Sequence, residues 1–277
     1  MVDMRSLTTG LEEAEPGFWV SRIRSAVSYP DTGNEWCAGV EGESFWFRHR
    51  NRCVVEVVRA HPPTGPIFDI GGGNGFVAIA LRDAGLEAVL VEPGPSGARR
   101  ALERGLRPVV CATMEEAGFK EASLPAAGLF DVLEHQPDEA SFLSFLRDRL
   151  VPGGRLYVTV PAFGALWSVD DDVAGHYRRY TRSSLTRSLV AAGFRVDAMT
   201  YLFSPLPLPV LLFRTLPSLL RMRKARQIAA AGREHEISPG IRGRVLMRML
   251  DAELGRIRRG RSVAIGTTCL AVATRSP

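Results

Sequence analysis

Short apolar runs alternate with amphipathic stretches through most of this chain. Ile67-Phe-Asp-Ile70 and the segments 87–92, 108–112, 126–131 and 155–160 are β-rich runs closed by turn residues, and they predict buried strands. Between them, 76–84, 96–105 and 138–150 place apolar residues at helical spacing and predict helices. Upstream, the run from Ser44 to Ala60 predicts a helix with one apolar side, stopped by His61-Pro-Pro-Thr-Gly-Pro66. Downstream come a helix over 182–192, a strand over 195–202 after Gly193, and a terminal strand within 262–273. Strands and helices in strict alternation predict an α/β fold built on a parallel, doubly wound sheet. Residues 1–43 show no clear period, so 1–62 is expected to form an N-terminal helical cap. The core takes 63–202 and 262–277, and 203–261 is expected to be a helical insert.

The first strand ends in the densest turn of the chain. Asp69 is followed by Gly71, Gly72, Gly73 and Gly75, and Phe76 opens the next helix. Glycines permit positive φ and close approach to the backbone. A helix start offers unpaired N–H groups and a positive dipole end, so an anionic ligand group is expected on this turn. The glycines fit both the dinucleotide pattern G-x-G-x-x-A at Gly73–Ala78 and D-x-G-x-G-x-G at Asp69–Gly75. Glu92, at the end of the second strand, suits a ribose diol, which both cofactors carry.

Later segments separate the two. Asp131-Val-Leu-Glu134-His135, Leu150-Val-Pro-Gly-Gly154 and Leu166-Trp-Ser168, Asp171, Gly175-His-Tyr-Arg-Arg-Tyr-Thr181 occur in this order. Together with the glycine turn they resemble class I S-adenosylmethionine (SAM)-dependent methyltransferases over roughly 44–202. The resemblance implies a Rossmann-like sheet of seven strands, mostly parallel, with an antiparallel last strand. It implies SAM as cofactor, with Arg50, Asp69, Gly71, Gly73 and Gly75 near its amino-acid end and Glu92 on the ribose. Ala112, Thr113 and Met114 would lie at the adenine, and Asp131, at the carboxyl end of its strand, is also expected to bind the cofactor. His135 and His176 are expected to be catalytic, as bases for a hydroxyl nucleophile. Trp167, Tyr177, Arg179 and Tyr180 are expected to meet the acceptor. Asp131, Glu134, His135 and His176 also form a mixed oxygen and nitrogen set for a divalent metal, as in some O-methyltransferases that resemble this chain. The expected activity is O-methylation of a small, hydrophobic biosynthetic intermediate. N- or C-methylation, an NAD-linked oxidoreductase and a non-catalytic SAM-binding scaffold are the alternatives.

Composition narrows the setting. Cys37, Cys53, Cys111 and Cys269 have no C-x-x-C spacing, which speaks against a zinc site or disulfide frame and for a cytoplasmic protein. The N-terminus lacks the apolar stretch of a secretory signal. The formal charge is +5, but 214–261 alone carries thirteen Arg/Lys against four Asp/Glu, so the rest of the chain is acidic by four. Charge confined to one segment speaks against general nucleic-acid binding. Residues 201–220 are strongly apolar and run into Arg221-Met-Arg-Lys-Ala-Arg226. Prolines and Arg214 argue against a transmembrane helix. The insert is expected to be a substrate lid or a homodimer face, with peripheral membrane contact through 201–226 as a further use.

Overall fold

The computed structural model describes residues 2–23, 44–222 and 240–276. Among these, nine strands form one sheet: β1 (Leu11–Glu15), β2 (Phe18–Ser21), β3 (Ile67–Ile70), β4 (Ala88–Val91), β5 (Val109–Cys111), β6 (Leu124–Phe130), β7 (Leu150–Pro161), β8 (Phe194–Leu202) and β9 (Thr268–Arg275). Their order is β1-β2-β5-β4-β3-β6-β7-β9-β8. Strands β3 to β7 pair in parallel, and β9 inserts antiparallel between β7 and β8. The expected seven-stranded sheet with its antiparallel last strand is therefore β3–β9.

The N-terminal region departs from expectation. It is not wholly a helical cap: after the single turn α1 (Met4–Leu7), β1 and β2 form a hairpin that adds two strands to the sheet. Pro16-Gly17 makes its turn, with Gly17 at φ 75°. Phe18 and Trp19 point to opposite faces of the sheet and are both buried, which ties the hairpin into the core on both sides.

Helices α2 (Phe45–Ala60), α3 (Phe76–Asp83), α4 (Pro95–Glu103), α6 (Glu139–Arg149) and α8 (Arg182–Ala191) follow the predicted alternation, while the short α5 (Met114–Ala117) and α7 (Val169–Ala174) lie in stretches with no predicted helix. Strand side chains alternate between two apolar layers. Phe68, Val89 and Val158 meet Leu143 and Leu146 of α6 and Leu185 and Leu189 of α8 in one layer. Ile67, Leu90 and Val109 meet α2, α3 and α4 in the other. Full burial of such a side chain contributes about 1.5–3 kcal/mol.

The segment after β8 has two parts. Residues 207–219 form α9, α-helical at Pro207–Val210 and Leu216–Leu219 and π-helical at Leu211–Thr215. The long helix α10 (Ile241–Arg258) was expected within a peripheral insert, yet its second half belongs to the core. Leu250, Leu254 and Ile257 pack in the layer that holds α2. Glu253, in the same stretch, receives hydrogen bonds from the backbone N–H groups of Phe203 (2.7 Å) and Ser204 (2.6 Å). His49 Nε2 of α2 lies 2.8 Å from Glu253 Oε1 and 3.4 Å from Cys53 Sγ. Burial works to raise the Glu253 carboxyl, but the hydrogen bonds from His49, Ser204 and Phe203 win and hold it below its ordinary value. The basic run 223–226 lies outside the described residues. No helix among the described residues is long and apolar enough to cross a membrane.

Candidate active site

The glycine turn is shaped by packing as much as by any ligand. A Cβ at Gly72 would lie 2.5 Å from Asp69 Oδ2 and 2.6 Å from Leu90 Cδ1, and Gly75 caps α3 at φ 74° with Ala101 2.8 Å from a Cβ placed there. Asp69 is fully buried, and its Oδ2 accepts from the Ala78 N–H in the first turn of α3 at 3.1 Å. Its carboxylate therefore meets the positive helix end from inside the sheet. Burial pushes the Asp69 carboxyl up to about 7, with Glu92 adding to this and Arg50 opposing it.

Several N–H groups of the turn are already engaged, which corrects the expectation that they await a ligand carboxylate. Gly71 donates to the Val91 carbonyl (2.7 Å), Gly73 to Glu92 Oε2 (2.8 Å) and Gly75 to the Gly72 carbonyl (3.0 Å). Glu92 Oε1 accepts from Gly94 at 2.7 Å, so this one carboxylate joins the loops that follow β3 and β4.

The charge at the rim comes from α2 and β6 instead. Arg50 is buried, its guanidinium lies 4.9 Å from the Trp46 ring and 5.2 Å from Phe47, and Nη1 pairs with Asp131 Oδ2. Asp131 adopts φ 59°, and its Oδ1 accepts from the Thr159 hydroxyl at 3.1 Å. Arg50 and Asp131 thus present one positive and one negative group at the carboxyl ends of the strands, where ligands collect in such sheets.

Past β7 the chain folds back as a cap organised by Asp171. Ser168 and Asp171 form a capping box on α7, and the Ser168 N–H donates to Asp171 Oδ2 at 2.9 Å. Gly175 ends α7 in the left-handed conformation, which turns His176 back so that its Nδ1 sits 2.9 Å from Asp171 Oδ1. Arg179 binds the same carboxylate through Nε (2.7 Å) and Nη2 (3.0 Å). Burial alone would raise Asp171, but the hydrogen bonds from His176 and Arg179 outweigh it and bring it down to about 2. The Tyr177 N–H donates to the Glu134 carbonyl at 2.9 Å, which fastens this cap to the turn Leu133–His135.

That contact brings the two histidines together. The His135 and His176 rings are 4.8 Å apart, edge to face. Burial, with His176 beside it, lowers His135 to about 4, so its imidazole is neutral at physiological pH. Glu134 Oε1 is 4.0 Å from His176 Nε2, too long for a hydrogen bond, and its buried Oε2 has no hydrogen-bond partner. Burial, reinforced by Asp131, pushes the Glu134 carboxyl well above its ordinary value.

Comparison with known proteins decides the family. A family model described as a methyltransferase domain matches residues 43–199, more than half of the chain. This chain is a class I SAM-dependent methyltransferase. A probable S-adenosylmethionine-dependent methyltransferase of Mycolicibacterium smegmatis is 27% identical over 206 residues, covering 73% of this chain and 79% of that one. A protein of the same description from Mycobacterium tuberculosis is 26% identical over 175 residues, covering 62% and 64%. The fold matches a possible histamine N-methyltransferase of Thermotoga maritima (TM-score 0.54, 20% identity, 88% of this chain and 97% of that one). It also matches the [4+2]-cyclase SpnF (TM-score 0.57, 17% identity, 91% and 99%). One scaffold thus carries different reactions, and the acceptor chemistry of the methyltransferase has to be argued from its own residues.

The rim suits the cofactor. The amino-acid end of SAM carries an ammonium and a carboxylate, and Arg50 and Asp131 offer the opposite charge to each. Both Glu92 oxygens accept a backbone N–H, from Gly73 and Gly94, and a carboxylate oxygen can accept a second donor such as a ribose hydroxyl. Of the residues expected at the adenine, Ala112 is buried, Thr113 caps α5 with its side chain, and Met114 packs into the apolar core.

The expected acceptor residues divide. Tyr177 is 58% exposed beside His176, and Trp167 donates from Nε1 to Asp172 Oδ1 at 3.1 Å. Arg179 is committed to Asp171 and to the Ala162 carbonyl (3.1 Å), so it positions the cap and is not an anion grip. Tyr180 is a core residue: it is 2% exposed, and its hydroxyl donates to Glu139. The expected metal set also changes. Glu134, His135 and His176 offer donor atoms within 4.8 Å of one another, whereas the Asp131 carboxylate is held by Arg50 and Thr159. Asp171 had no role assigned from sequence, although Ser168-x-x-Asp171 carries a visible capping-box signal.

Proposed function

We propose that the methyltransferase transfers the methyl group to a hydroxyl of a small apolar acceptor, with His176 as general base. The observation that carries this reading is the Asp171–His176 pair. An ionised Asp171, 2.9 Å from Nδ1, holds the imidazole proton on that nitrogen and leaves Nε2 as the basic site. His176 is 17% exposed, enough to meet an acceptor at the rim. Bound SAM supplies a methyl group activated by a sulfonium centre. His176 Nε2 would take the proton that the acceptor hydroxyl loses as its oxygen displaces sulfur from the methyl carbon, the carbon–sulfur electron pair staying on sulfur as a neutral thioether. Arg50, Asp131 and Glu92 hold the cofactor in line, and positioning supplies much of the rate.

A second reading rests on the unpartnered Glu134 oxygen. Glu134, His135 and His176 make a donor set suited to a divalent ion, which would acidify the acceptor hydroxyl when bound. Dialysis against a chelator separates the two: full retention of turnover supports His176 acting as a base, and loss restored by a divalent ion supports the metal.

The test of the acceptor class uses labelled SAM with apolar alcohols, phenols and amines of matched size. Labelled ethers are the expected products; N-methylated products alone would overturn the reading. The acceptor is expected to be a biosynthetic intermediate, and the enzyme to act in the cytoplasm.

A further inference from the structure

Helix α9 turns an apolar stripe toward solvent, where an ordinary surface helix carries polar residues. Its less exposed side carries Arg214, Thr215 and Ser218 beside half-buried Val210 and Leu211. Thr215 is buried, the Ser218 hydroxyl accepts from the Val169 N–H (3.2 Å) and donates to the Arg214 carbonyl (2.7 Å), and Arg214 lies 3.9 Å from Asp170. Its outward side is apolar. Leu208, Leu212, Phe213, Leu216, Leu219 and Leu220 are all exposed, from 40% at Leu216 to 72% at Leu219. Their spacing places them on one side of the helix, where a surface helix normally carries its polar residues. A soluble monomer seldom leaves such a patch in water.

The charge that follows it along the chain argues for what covers it. The chain runs from this stripe into Arg221-Met-Arg-Lys-Ala-Arg226, and the segment 214–261 holds thirteen basic residues against four acidic. Arg242, Arg244 and Arg248 are exposed on the first half of α10, interleaved with exposed Ile241, Val245 and Met249. We propose that α9 docks on an anionic membrane surface and lies flat in the headgroup region. Apolar side chains enter the acyl boundary while arginines meet the anionic headgroups. Thirteen residues of helix span about 20 Å, short of the ~30 Å hydrocarbon core, so α9 lies on the membrane and does not cross it. A symmetric dimer through the same stripe would bring two strongly basic segments together. A lid would turn the stripe toward the cap, whereas the side of α9 with Arg214 and Ser218 is the one that contacts α7. Because α7 carries Asp171 and Asp171 holds His176, the docked surface is joined to the site within two contacts. An acceptor dissolved in the membrane would then reach the cap directly.

The test is co-sedimentation of the full-length protein with vesicles of phosphatidylcholine, alone or mixed equally with phosphatidylglycerol. Binding to the mixed vesicles at low salt, weakened at high salt, is expected, and Phe213→Glu with Leu219→Glu should lower the bound fraction at least tenfold. Calorimetry with SAM on the double variant checks that it is folded, with affinity expected to match the wild type. If the wild type stays in the supernatant with both vesicles, or the double variant binds as well as the wild type, the proposal fails. A lipid-free dimer that the double variant dissolves, together with no vesicle binding, would also overturn it and give the stripe to a second copy.

Discussion

Two carboxylate–histidine clusters occur in this molecule, and they differ in how far solvent reaches them. In the His49–Cys53–Glu253 cluster, both Glu253 oxygens accept backbone N–H groups and His49 Nε2 meets one of them; His49 Nδ1 is buried without a partner, and the whole cluster is shut off from solvent. In the cluster around His176, one buried Glu134 oxygen has no partner and the imidazole reaches solvent. Both clusters hold ionised carboxylates against imidazole. The first closes on itself and fastens α10 to α2; the second leaves a nitrogen free to exchange a proton. Each cluster keeps one unpartnered polar atom, so access to solvent, more than pairing or the presence of histidine, marks the chemical site.

The largest expected effect that tests this contrast is His176→Ala, which should lower turnover about 100-fold or more while SAM affinity stays within about threefold. Steady-state rates and calorimetry read the two separately, and a drop smaller than about tenfold would remove the contrast. Asp171→Asn should cost about 3 kcal/mol in urea unfolding, because Arg179 loses its buried partner, and should also reduce turnover by releasing His176. Glu253→Ala should cost about 2–3 kcal/mol, since two backbone N–H groups and His49 lose their acceptor. Turnover per folded molecule in that variant should match the wild type; a tenfold loss would show that the closed cluster also serves the reaction.

The smallest effect is a change in pH dependence. His135 titrates near 4 in the folded protein, below the ordinary 6.5. Between these values the unfolded chain takes up a proton that the folded one does not, so this residue makes stability fall as pH falls through that window. Asp69, raised to about 7 from 3.8, acts in the opposite sense, since the folded chain there keeps a proton that the unfolded one has lost. His135→Gln should therefore remove the loss of stability on acidification between about 6.5 and 4, measured as the shift in urea midpoint; an unchanged slope would show that His135 titrates normally.

Much of the fold was legible because its signals are local. The run Ile67–Ile70, the glycine turn and the amphipathic helices each announce themselves within ten residues or so. Asp131, Glu134 and His135 were legible as a motif, and His176 by its place in a second one. What could not be read depends on closure in space. Asp171 gains its role only when Gly175 turns His176 back toward it. Adjacent Arg178 and Arg179 look alike in sequence, yet one binds the Gln136 and Pro137 carbonyls and the other the Asp171 carboxylate. Tyr180 looks like a binding aromatic until burial against Glu139 is seen. His49 and Glu253 are 204 positions apart and carry no shared local pattern.

The β1–β2 hairpin has a consequence for how this protein behaves at high concentration. Without it, Val109-Val-Cys111 would be the outermost strand, an apolar backbone edge open to pairing with any other chain. The hairpin replaces that edge with Leu-Glu-Glu-Ala-Glu, whose glutamates engage Arg5, Arg22 and Arg99. A strand approaching from solution meets like charges and long side chains instead of bare valines. The two added strands therefore act as a guard against edge-to-edge aggregation, and a version of the chain shortened past Ser21 would be expected to precipitate where the full chain stays dispersed.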